Sequence, residues 1–512
     1  MAVAAVAGRT RRECLLGAAL ACTALAATAA SVASGHYMRG VPVVGALVVL
    51  LAVFHARLLS WRSLISMTIL VILFIPIRRY SLPASLPFNL EPYRIVVALV
   101  IVGWLMTVLI NRGTRLRASG FERPLFAYMG VILLSLLANR SRVEAVGSFT
   151  VKAITFFLSY VLVFYFVVSV MRRVRDIDFF VRLLAAGGGV LGASAIFESA
   201  THINVFNHLS TVIPILHYGG SLAPETLRGG GLRVSASAQH PIALGAALAV
   251  LIPLAVYLAR STGASRWWLC GLLMLIGLFA TRSRTGVTML IAVAIVYIVL
   301  RPRETRRFWP ALVPLVLAIH FAAPGAIGSI KQSFFPTGGI LAQEKKNSVG
   351  SGRYATFGPV FHREVTPNPV LGEGYATRVI DPQGSGLNVP AAPITDDQWL
   401  GVLAETGFAG AIAFLWLFVR AARRMGKAAR RDRSDRGWLL VATTASVVAC
   451  PVGMLTYDSF AFVQVTFLMW LILAIGACAL LTKPEEWKQS APVRLRRGHG
   501  ATMRQRLAYA PG

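Results

Sequence analysis

Apolar residues run along this chain in long stretches that are separated by short polar segments. A transmembrane helix needs about 20 apolar residues to cross a hydrocarbon core of about 30 Å. Stretches of roughly this length recur about 12–14 times, so the pattern predicts an all-α, polytopic transmembrane protein. The predicted spans lie near residues 15–34, 41–58, 63–77, 93–110, 124–138, 149–171, 179–199, 241–259, 267–281, 286–300, 308–325, 399–418, 438–456 and 460–481.

Basic residues between these stretches fall on one side of the predicted membrane. With the N terminus in the cytoplasm, the runs RTRRE, MRRVRD, RPRETRR and RAARRMGKAARRDRSDR are all cytoplasmic, as the positive-inside rule requires. The C terminus is then cytoplasmic as well. The first stretch ends in ATAASVASG and fits an uncleaved span, which we expect, or a cleavable signal peptide, and both leave the later topology unchanged.

Composition and charge agree with this topology. Hydrophobic residues make up 56% of the 512 positions and charged residues 14%, which excludes an ordinary soluble domain. A net charge of +30 would suggest nucleic acid in a soluble protein. Here the positive-inside rule accounts for it, so no nucleic-acid partner is expected. The five cysteines have neither metal-ligand nor disulfide spacing, and we expect no metal or cofactor.

Two long polar segments, residues 201–240 and 326–395, fall on the predicted extracytoplasmic side. In the second, Tyr354, Phe357, Val360 and Phe361 recur at helical spacing and predict a short interfacial helix. The two segments carry arginines against the general charge bias, namely Arg228, Arg233, Arg353, Arg363 and Arg378.

The motif TRSRTG places Arg282 and Arg284 between two apolar stretches of about 15 residues, each shorter as a helix than the hydrocarbon core. A lipid-facing arginine at depth costs about 2.5–3.5 kcal/mol, so such residues usually face a cavity. We interpret Arg282 as snorkelling to lipid headgroups and Arg284 as functional.

The motif RGGGLRVSASAQHPIALG contains Arg228, Arg233 and His240, followed by Pro241 at the expected first turn of a helix. His240 is either an acid/base group or a structural residue. Arg353 either binds an anion or snorkels from its interfacial helix.

Two adjacent carboxylates open the motif TDDQWLGVLAETGFAG. Thr395 or Asp396 can cap the following helix, but a cap explains one acid and not two. Glu405 lies about two turns further on, on roughly the face of Asp397. Arginines bind pyrophosphate through charge-assisted bonds and a carboxylate can accept a proton from a hydroxyl, so these groups on one face suit transfer from a lipid pyrophosphate.

In order and spacing, four stretches resemble the O-antigen ligase / O-antigen polymerase family of bacterial membrane glycosyltransferases. They are RVSASAQHPIALG, TRSRTG, the pair SGRYATFGPV and NPVLGEGYAT, and DDQWLGVLAETGFAG. The likeness covers roughly residues 232–418.

The resemblance implies a metal-independent transfer of glycan from an undecaprenyl-pyrophosphate carrier to a glycan or glycolipid acceptor, on the outer face of the bacterial cytoplasmic membrane. It implies that Arg233 and Arg284 hold the pyrophosphate, with Arg353 and Arg228 as further candidates. Asp396 falls where ligases have a catalytic His, and Asp397 where the family usually has Asn. This departure favours the broader family over lipid A ligation. The catalytic candidates are therefore Asp396, Asp397 and Arg284, with His240 and Glu405 as possible additions.

The predicted organisation has N-terminal transmembrane helices over 1–200 and a ligase-like region over 201–420 that includes the extracytoplasmic loop 326–396. C-terminal transmembrane helices follow over 421–482, and a basic cytoplasmic tail over 483–512. The alternative function is a transporter of a small anion or solute. A transporter would more often show broken helices with polar residues near the membrane midplane. His55, Glu198 and His320 do not form such a cluster.

Overall fold

The computed structural model describes residues 60–82, 90–110, 115–219, 227–228, 231–307, 353–382 and 387–490, with isolated positions from 310 to 331. The predicted spans 15–34 and 41–58 and most of 308–325 lie outside the described residues, as does the basic tail after residue 490.

The described residues are mainly helical, which confirms the predicted all-α membrane class. Two short antiparallel strand pairs join loops, β1 (Tyr80–Ser81) with β2 (His217–Tyr218) and β3 (Leu227–Arg228) with β4 (Gly231–Leu232). A 3-10 turn covers Val205–His208 and a π turn covers Phe361–Val365. The helices are α1 (Trp61–Phe74), α2 (Pro92–Ile110), α3 (Glu122–Ala138), α4 (Arg140–Val170), α5 (Val174–Thr201), α6 (Leu209–Val212), α7 (Pro241–Thr262), α8 (Ser265–Ala280), α9 (Arg284–Leu300), α10 (Pro302–Arg306), α11 (Arg353–Val360), α12 (Gln398–Arg431), α13 (Asp435–Met454), α14 (Val463–Leu481) and α15 (Pro484–Ser490).

In the part of the chain that the structure describes, seven helices are long and apolar enough to cross a membrane. They are α2, α4, α5, α7, α12, α13 and α14, and α1, α8 and α9 are shorter apolar helices. Most boundaries fall within a few residues of the predicted ones. Two helices are longer than predicted, because α4 begins at Arg140 and α12 continues to Arg431.

Three helices form the centre of the bundle. The apolar windows of α14, α7 and α13 are 94%, 89% and 83% buried, whereas those of α2, α4, α5 and α12 are only 39–56% buried. A helix that is apolar on every side is suited to such a central position. The outer helices leave large apolar side chains exposed, as expected for surfaces that face lipid.

Arginines cap helix ends on one side of the bundle. Arg117 donates to the Leu481 carbonyl oxygen at 3.0 Å, Arg301 to that of Ala429 at 2.8 Å and Arg436 to that of Ala479 at 2.8 Å. Cations stabilise the negative end of a helix dipole and satisfy its last carbonyl groups. We call this side, where α9, α12 and α14 end, the basic end, and the opposite side the site end.

Helix α12 is broken, although the sequence predicts one continuous span over 399–418. Gly407 has φ 65° and ψ −170°, which interrupts the helical hydrogen bonds. Residues 369–374 lie against the break and pair with the released groups. Glu373 N donates to Ala404 O at 2.8 Å, Gly374 N to Glu405 O at 3.1 Å, Phe408 N to Pro369 O at 2.8 Å and Ala409 N to Val370 O at 3.2 Å. We call this arrangement of residues 369–374 and 404–409 the interlock.

Two glycines make the interlock possible. A Cβ atom on Gly407 would lie 2.3 Å from the Val370 carbonyl carbon, and one on Gly372 would lie 2.5 Å from that of Glu405. Both glycines also have a φ of 65°. Close backbone contact and a left-handed conformation therefore each require glycine at these positions.

We expect Gly407→Ala and Gly372→Ala each to destabilise the protein by about 1–3 kcal/mol, since the alanine is strained and pushes the two backbones apart. The measurement is the thermal unfolding midpoint of full-length protein in detergent. Gly401→Ala is the matched control in the same helix, because a Cβ atom there meets nothing closer than 3.9 Å. An equal loss in all three variants would contradict the assigned role of the interlock.

Candidate functional site

The turn between α8 and α9 carries the two arginines of TRSRTG. The Ser283 hydroxyl accepts from Gly286 N at 3.4 Å and caps α9, and the partly exposed Arg284 is the first residue of that helix. Arg282 has φ 51° and is only 7% exposed, and its burial lowers the pKa of the guanidinium. The snorkelling interpretation of Arg282 is therefore wrong, since a snorkelling guanidinium would be solvated.

Arg233 lies against the same turn. Its Nε donates to the Thr281 carbonyl oxygen at 3.4 Å, and the residue is 9% exposed. Helices α7 and α9 approach closely beside it. A Cβ atom on Gly286 would lie only 3.2 Å from the Gly245 Cα. The structure thus brings together the RVSASAQHPIALG and TRSRTG motifs, which are separated in sequence.

A buried polar clamp holds the loop that follows Arg233. Arg79 donates to Ser235 Oγ at 2.9 Å and to the carbonyl oxygens of Ala236 at 3.1 Å and Ala238 at 2.7 Å. The Glu198 carboxylate accepts from Ala236 N at 2.7 Å and from Ser235 N at 3.2 Å. Burial lowers the pKa of Arg79, while the Glu198 charge opposes this shift. Two distant residues therefore fix one loop.

The two adjacent acids at the start of α12 differ in local structure. Asp397 Oδ1 accepts from Trp399 N at 2.8 Å and from Leu400 N at 3.3 Å, so Asp397 is the helix cap, rather than Thr395 or Asp396. Asp396 has φ 46°, a left-handed conformation that Asp tolerates better than most residues. Among the described residues, the Asp396 carboxylate has neither a hydrogen bond nor an ion pair. Within the described ranges, one acid therefore holds the backbone and its neighbour does not.

The loop over residues 455–462, between α13 and α14, contacts the motifs on both sides of the site. Thr456 Oγ1 bonds Thr285 Oγ1 at 2.8 Å, next to Arg284. Phe460 N donates to Gln398 Oε1 at 2.8 Å, next to Asp397. The Phe462 ring stacks on His240 at 5.9 Å. The 455–462 loop therefore connects the arginine turn with the acidic helix start.

A further charged group lies beside the acids. Arg378 Nε pairs with Glu364 Oε2 at 2.5 Å, and both side chains are largely buried. Burial raises the pKa of Asp458, and the nearby negative charge of Asp396 adds to this shift, whereas Arg378 and backbone N–H groups oppose it. Asp396, Asp458 and Arg378 thus form one electrostatically coupled group at the site end.

The remaining candidates are His240, Glu405, Arg353 and Arg228, and the first two have contacts that stabilise the fold. His240 Nδ1 accepts from Ile242 N at 3.2 Å and caps α7, which fits the structural alternative for this residue. Glu405 belongs to the interlock, and its carboxylate accepts from the Ala376 N–H. Arg353 begins α11, the short helix that the sequence predicts, and Arg228 ends β3, but the side chains of both lie outside the described residues.

Sequence reasoning did not select Arg378, Asp458, Arg79 or Glu198 as site residues. Arg378 and Glu198 are charges in unusual places in the sequence, but the sequence does not show that Arg378 pairs with Glu364 or that Glu198 bonds to the backbone of Ser235 and Ala236. Asp458 is an acid in a short connection between two apolar stretches. Its place near the site follows only from the packing of α13 and α14, which the sequence does not show.

We expect Arg79→Ala to lower the unfolding midpoint, because it leaves the buried Glu198 carboxylate and several acceptors without their cation, at a cost of about 3–5 kcal/mol. The neighbouring Arg78→Ala is the control, since Arg78 is exposed and its described contact is through its backbone N–H. Thermal unfolding in detergent measures both. Equal midpoints for the two variants would show that the clamp does not stabilise the loop.

Comparison with known proteins agrees with this geometry. A family model described as O-antigen ligase matches residues 269–415, from within α8 to the second half of α12. No curated protein matches the chain. The matched segment includes Arg284, Arg378 and Asp396, whereas Arg233 and Asp458 lie outside it. The match supports a role as a polysaccharide ligase or polymerase. Over residues 269–415, the chain is therefore similar to the O-antigen ligase family.

Proposed function

We propose that this protein transfers a glycan from a polyprenyl-pyrophosphate carrier to an acceptor hydroxyl on the extracytoplasmic face of a bacterial cytoplasmic membrane. The donor is a lipid-linked glycan and the acceptor a glycan or glycolipid. The site end then faces outward and the basic end faces the cytoplasm, in accord with the positive-inside rule.

One observation carries the proposal. The 455–462 loop bonds to Thr285 beside Arg284 and to Gln398 beside the acids, so anion-binding and proton-accepting groups share one end of the bundle. Arginine guanidinium groups match the oxygens of a pyrophosphate, and a carboxylate can take a proton from a hydroxyl. These two functions are what the transfer requires.

In the proposed reaction, the Asp396 carboxylate accepts the proton of the acceptor hydroxyl. The hydroxyl oxygen attacks the anomeric carbon of the donor glycan and forms the new glycosidic bond. The bond from that carbon to the pyrophosphate oxygen breaks, and the carrier pyrophosphate leaves with its negative charge. Arg284 and Arg233 stabilise that charge as it develops.

The local structure favours Asp396 over Asp397 as the base. Asp397 Oδ1 is engaged by two backbone N–H groups, which favour a fixed, ionised cap. Asp396 is the acid of this pair without such bonds among the described residues. Asp458 lies within the electrostatic reach of Asp396, whose negative charge adds to the effect of burial in raising the pKa of Asp458.

The transporter alternative gains one supporting feature, the break in α12. Broken helices in transporters offer their free backbone groups to substrates and ions. Here the backbone groups of residues 404, 405, 408 and 409 are paired with the chain itself in the interlock. The break therefore supports the enzyme proposal at least as well, because it anchors a loop beside the acids.

We expect Asp396→Asn to reduce glycan transfer by about 10²–10⁴-fold, the usual contribution of general acid–base catalysis. Asn tolerates the left-handed backbone of this position, so the protein should keep its fold and expression level. Surface glycan chain length and yield are measured in a deletion strain that carries each variant.

Asp397→Asn is the matched control, since Asn retains the cap and should support nearly normal transfer. Wild-type glycan from the Asp396→Asn strain would remove Asp396 from the mechanism. Loss of glycan transfer in the Asp397→Asn strain alone would assign the role of base to Asp397.

We expect Arg284→Lys to lower glycan output strongly at normal protein level, because lysine keeps the charge but loses the planar fork that bonds two oxygens at once. Arg306→Lys is the control, an exposed arginine at the basic end. Full activity of Arg284→Lys would leave only a diffuse electrostatic role for this residue.

A further inference from the structure

Residues 203–215 follow α5 at the site end and include the 3-10 turn and α6. The proposed transfer reaction uses none of them. Their sequence carries no Asp, Glu, Lys or Arg, and none occurs anywhere from residue 199 to residue 224, although these four types make up 14% of the chain. A surface in contact with water usually carries a larger share of charged residues than the chain average.

Large apolar side chains of the 203–215 segment point away from the protein. Five of them have exposed fractions between 38% and 77%, namely Ile203, Val205, Val212, Ile213 and Ile215. The exposed polar residues among them are His208 and Thr211. The outward face of the segment is therefore mainly apolar and has no acid, lysine or arginine.

Asparagine side chains of the same segment point inward. Asn204 Nδ2 donates to the Ala236 carbonyl oxygen at 3.0 Å. Asn207 Oδ1 accepts from Arg79 Nη1 at 3.0 Å. These bonds attach the segment to the clamp and to the loop that follows Arg233. Polar groups inside and apolar groups outside are the reverse of a surface in water, and they are typical of a surface in lipid.

The lipid-facing side of α5 leads directly into this apolar face. Val190 is 51% exposed and Phe197 is 46% exposed, and the two lie about two helical turns apart on one face. Helix α5 ends at Thr201, just before Ile203. Glu198, the charged residue between Val190 and Ile203, is buried and bonds to the loop backbone within the clamp. The apolar surface of a membrane-spanning helix therefore continues onto the 203–215 segment.

We propose that the 203–215 segment lies in the interface of the membrane leaflet at the site end, with its exposed apolar side chains against phospholipid acyl chains just below the headgroups. An uncharged apolar face suits acyl chains, and exposed His and Thr side chains suit the adjacent headgroups. Because the inner face is bonded to the clamp, contact with lipid fixes the depth of the loop that follows Arg233.

The test uses full-length protein in which the environment-sensitive fluorescent amino acid Anap replaces Val212. The protein is reconstituted in vesicles of phosphatidylethanolamine and phosphatidylglycerol that contain a nitroxide-labelled lipid, with the nitroxide near the headgroup or near the chain end. We expect blue-shifted emission, which the headgroup-side nitroxide lowers by about half and the chain-end nitroxide lowers much less, because an interfacial segment is buried by only about 5–10 Å.

Two control positions bracket this result. Anap at Val190, about 16 Å along α5 from its end at about 1.5 Å per residue, should be quenched more strongly by the chain-end nitroxide. Anap at Arg140, a side chain that is 84% exposed at the same end of the bundle, should emit as in water. Anap at Val205 is a second reporter on the same face, which keeps the test decisive if replacement of Val212 prevents folding.

Emission from both reporters like that at Arg140 would show that the segment lies in water. Blue-shifted emission that neither nitroxide lowers would show that protein covers the apolar face. Chain-end quenching as strong as at Val190 would indicate a re-entrant segment rather than an interfacial one. Each of these three results would overturn the proposal. None of them bears on glycan transfer, which the Asp396 variants test separately.

Discussion

A membrane-embedded chain has to pair its backbone polar groups internally, because lipid supplies no hydrogen bonds. The break in α12 at Gly407 releases carbonyl and N–H groups, and residues 369–374 pair with them. The rest of the site depends on this exchange. It attaches the segment that carries Arg378 to α12, which begins at Gln398. Ser135 of α3 adds a bond to the Glu405 carbonyl oxygen at 2.7 Å.

Around this anchor, the site is assembled by short connections rather than by one domain. The turn before α9, the start of α12 and the 455–462 loop meet at the site end, and the Arg79–Glu198 clamp fixes the segment after Arg233. One of these contacts joins two hydroxyl groups, and in the other two a side chain from another segment accepts from a loop N–H group. Such pairing holds charged groups in place without a large soluble domain.

The sequence was sufficient for the class of fold and most span boundaries, because apolar length is a direct physical requirement of the membrane. It also selected Arg233, Arg284 and Asp396 as site candidates. It could not distinguish the two acids, since a left-handed φ at Asp396 and a cap at Asp397 depend on how the chain enters α12. The break in α12 was missed because Gly407 lies in an apolar run, and the reason for a glycine there, the backbone of Val370, comes from a distant loop.

The contacts between α3, α4 and the interlock have a consequence for exchanging parts between related proteins. Asn139 Nδ2 donates to the Gly372 carbonyl oxygen at 3.0 Å, and Arg142 pairs with Glu373 at 2.6 Å. Both partners of the loop lie far upstream of the family-matched residues 269–415. A chimera that grafts only the matched segment onto another chain would separate these pairs. A chimera that keeps this site intact would therefore have to include at least the residues from the α3–α4 junction to the start of α14.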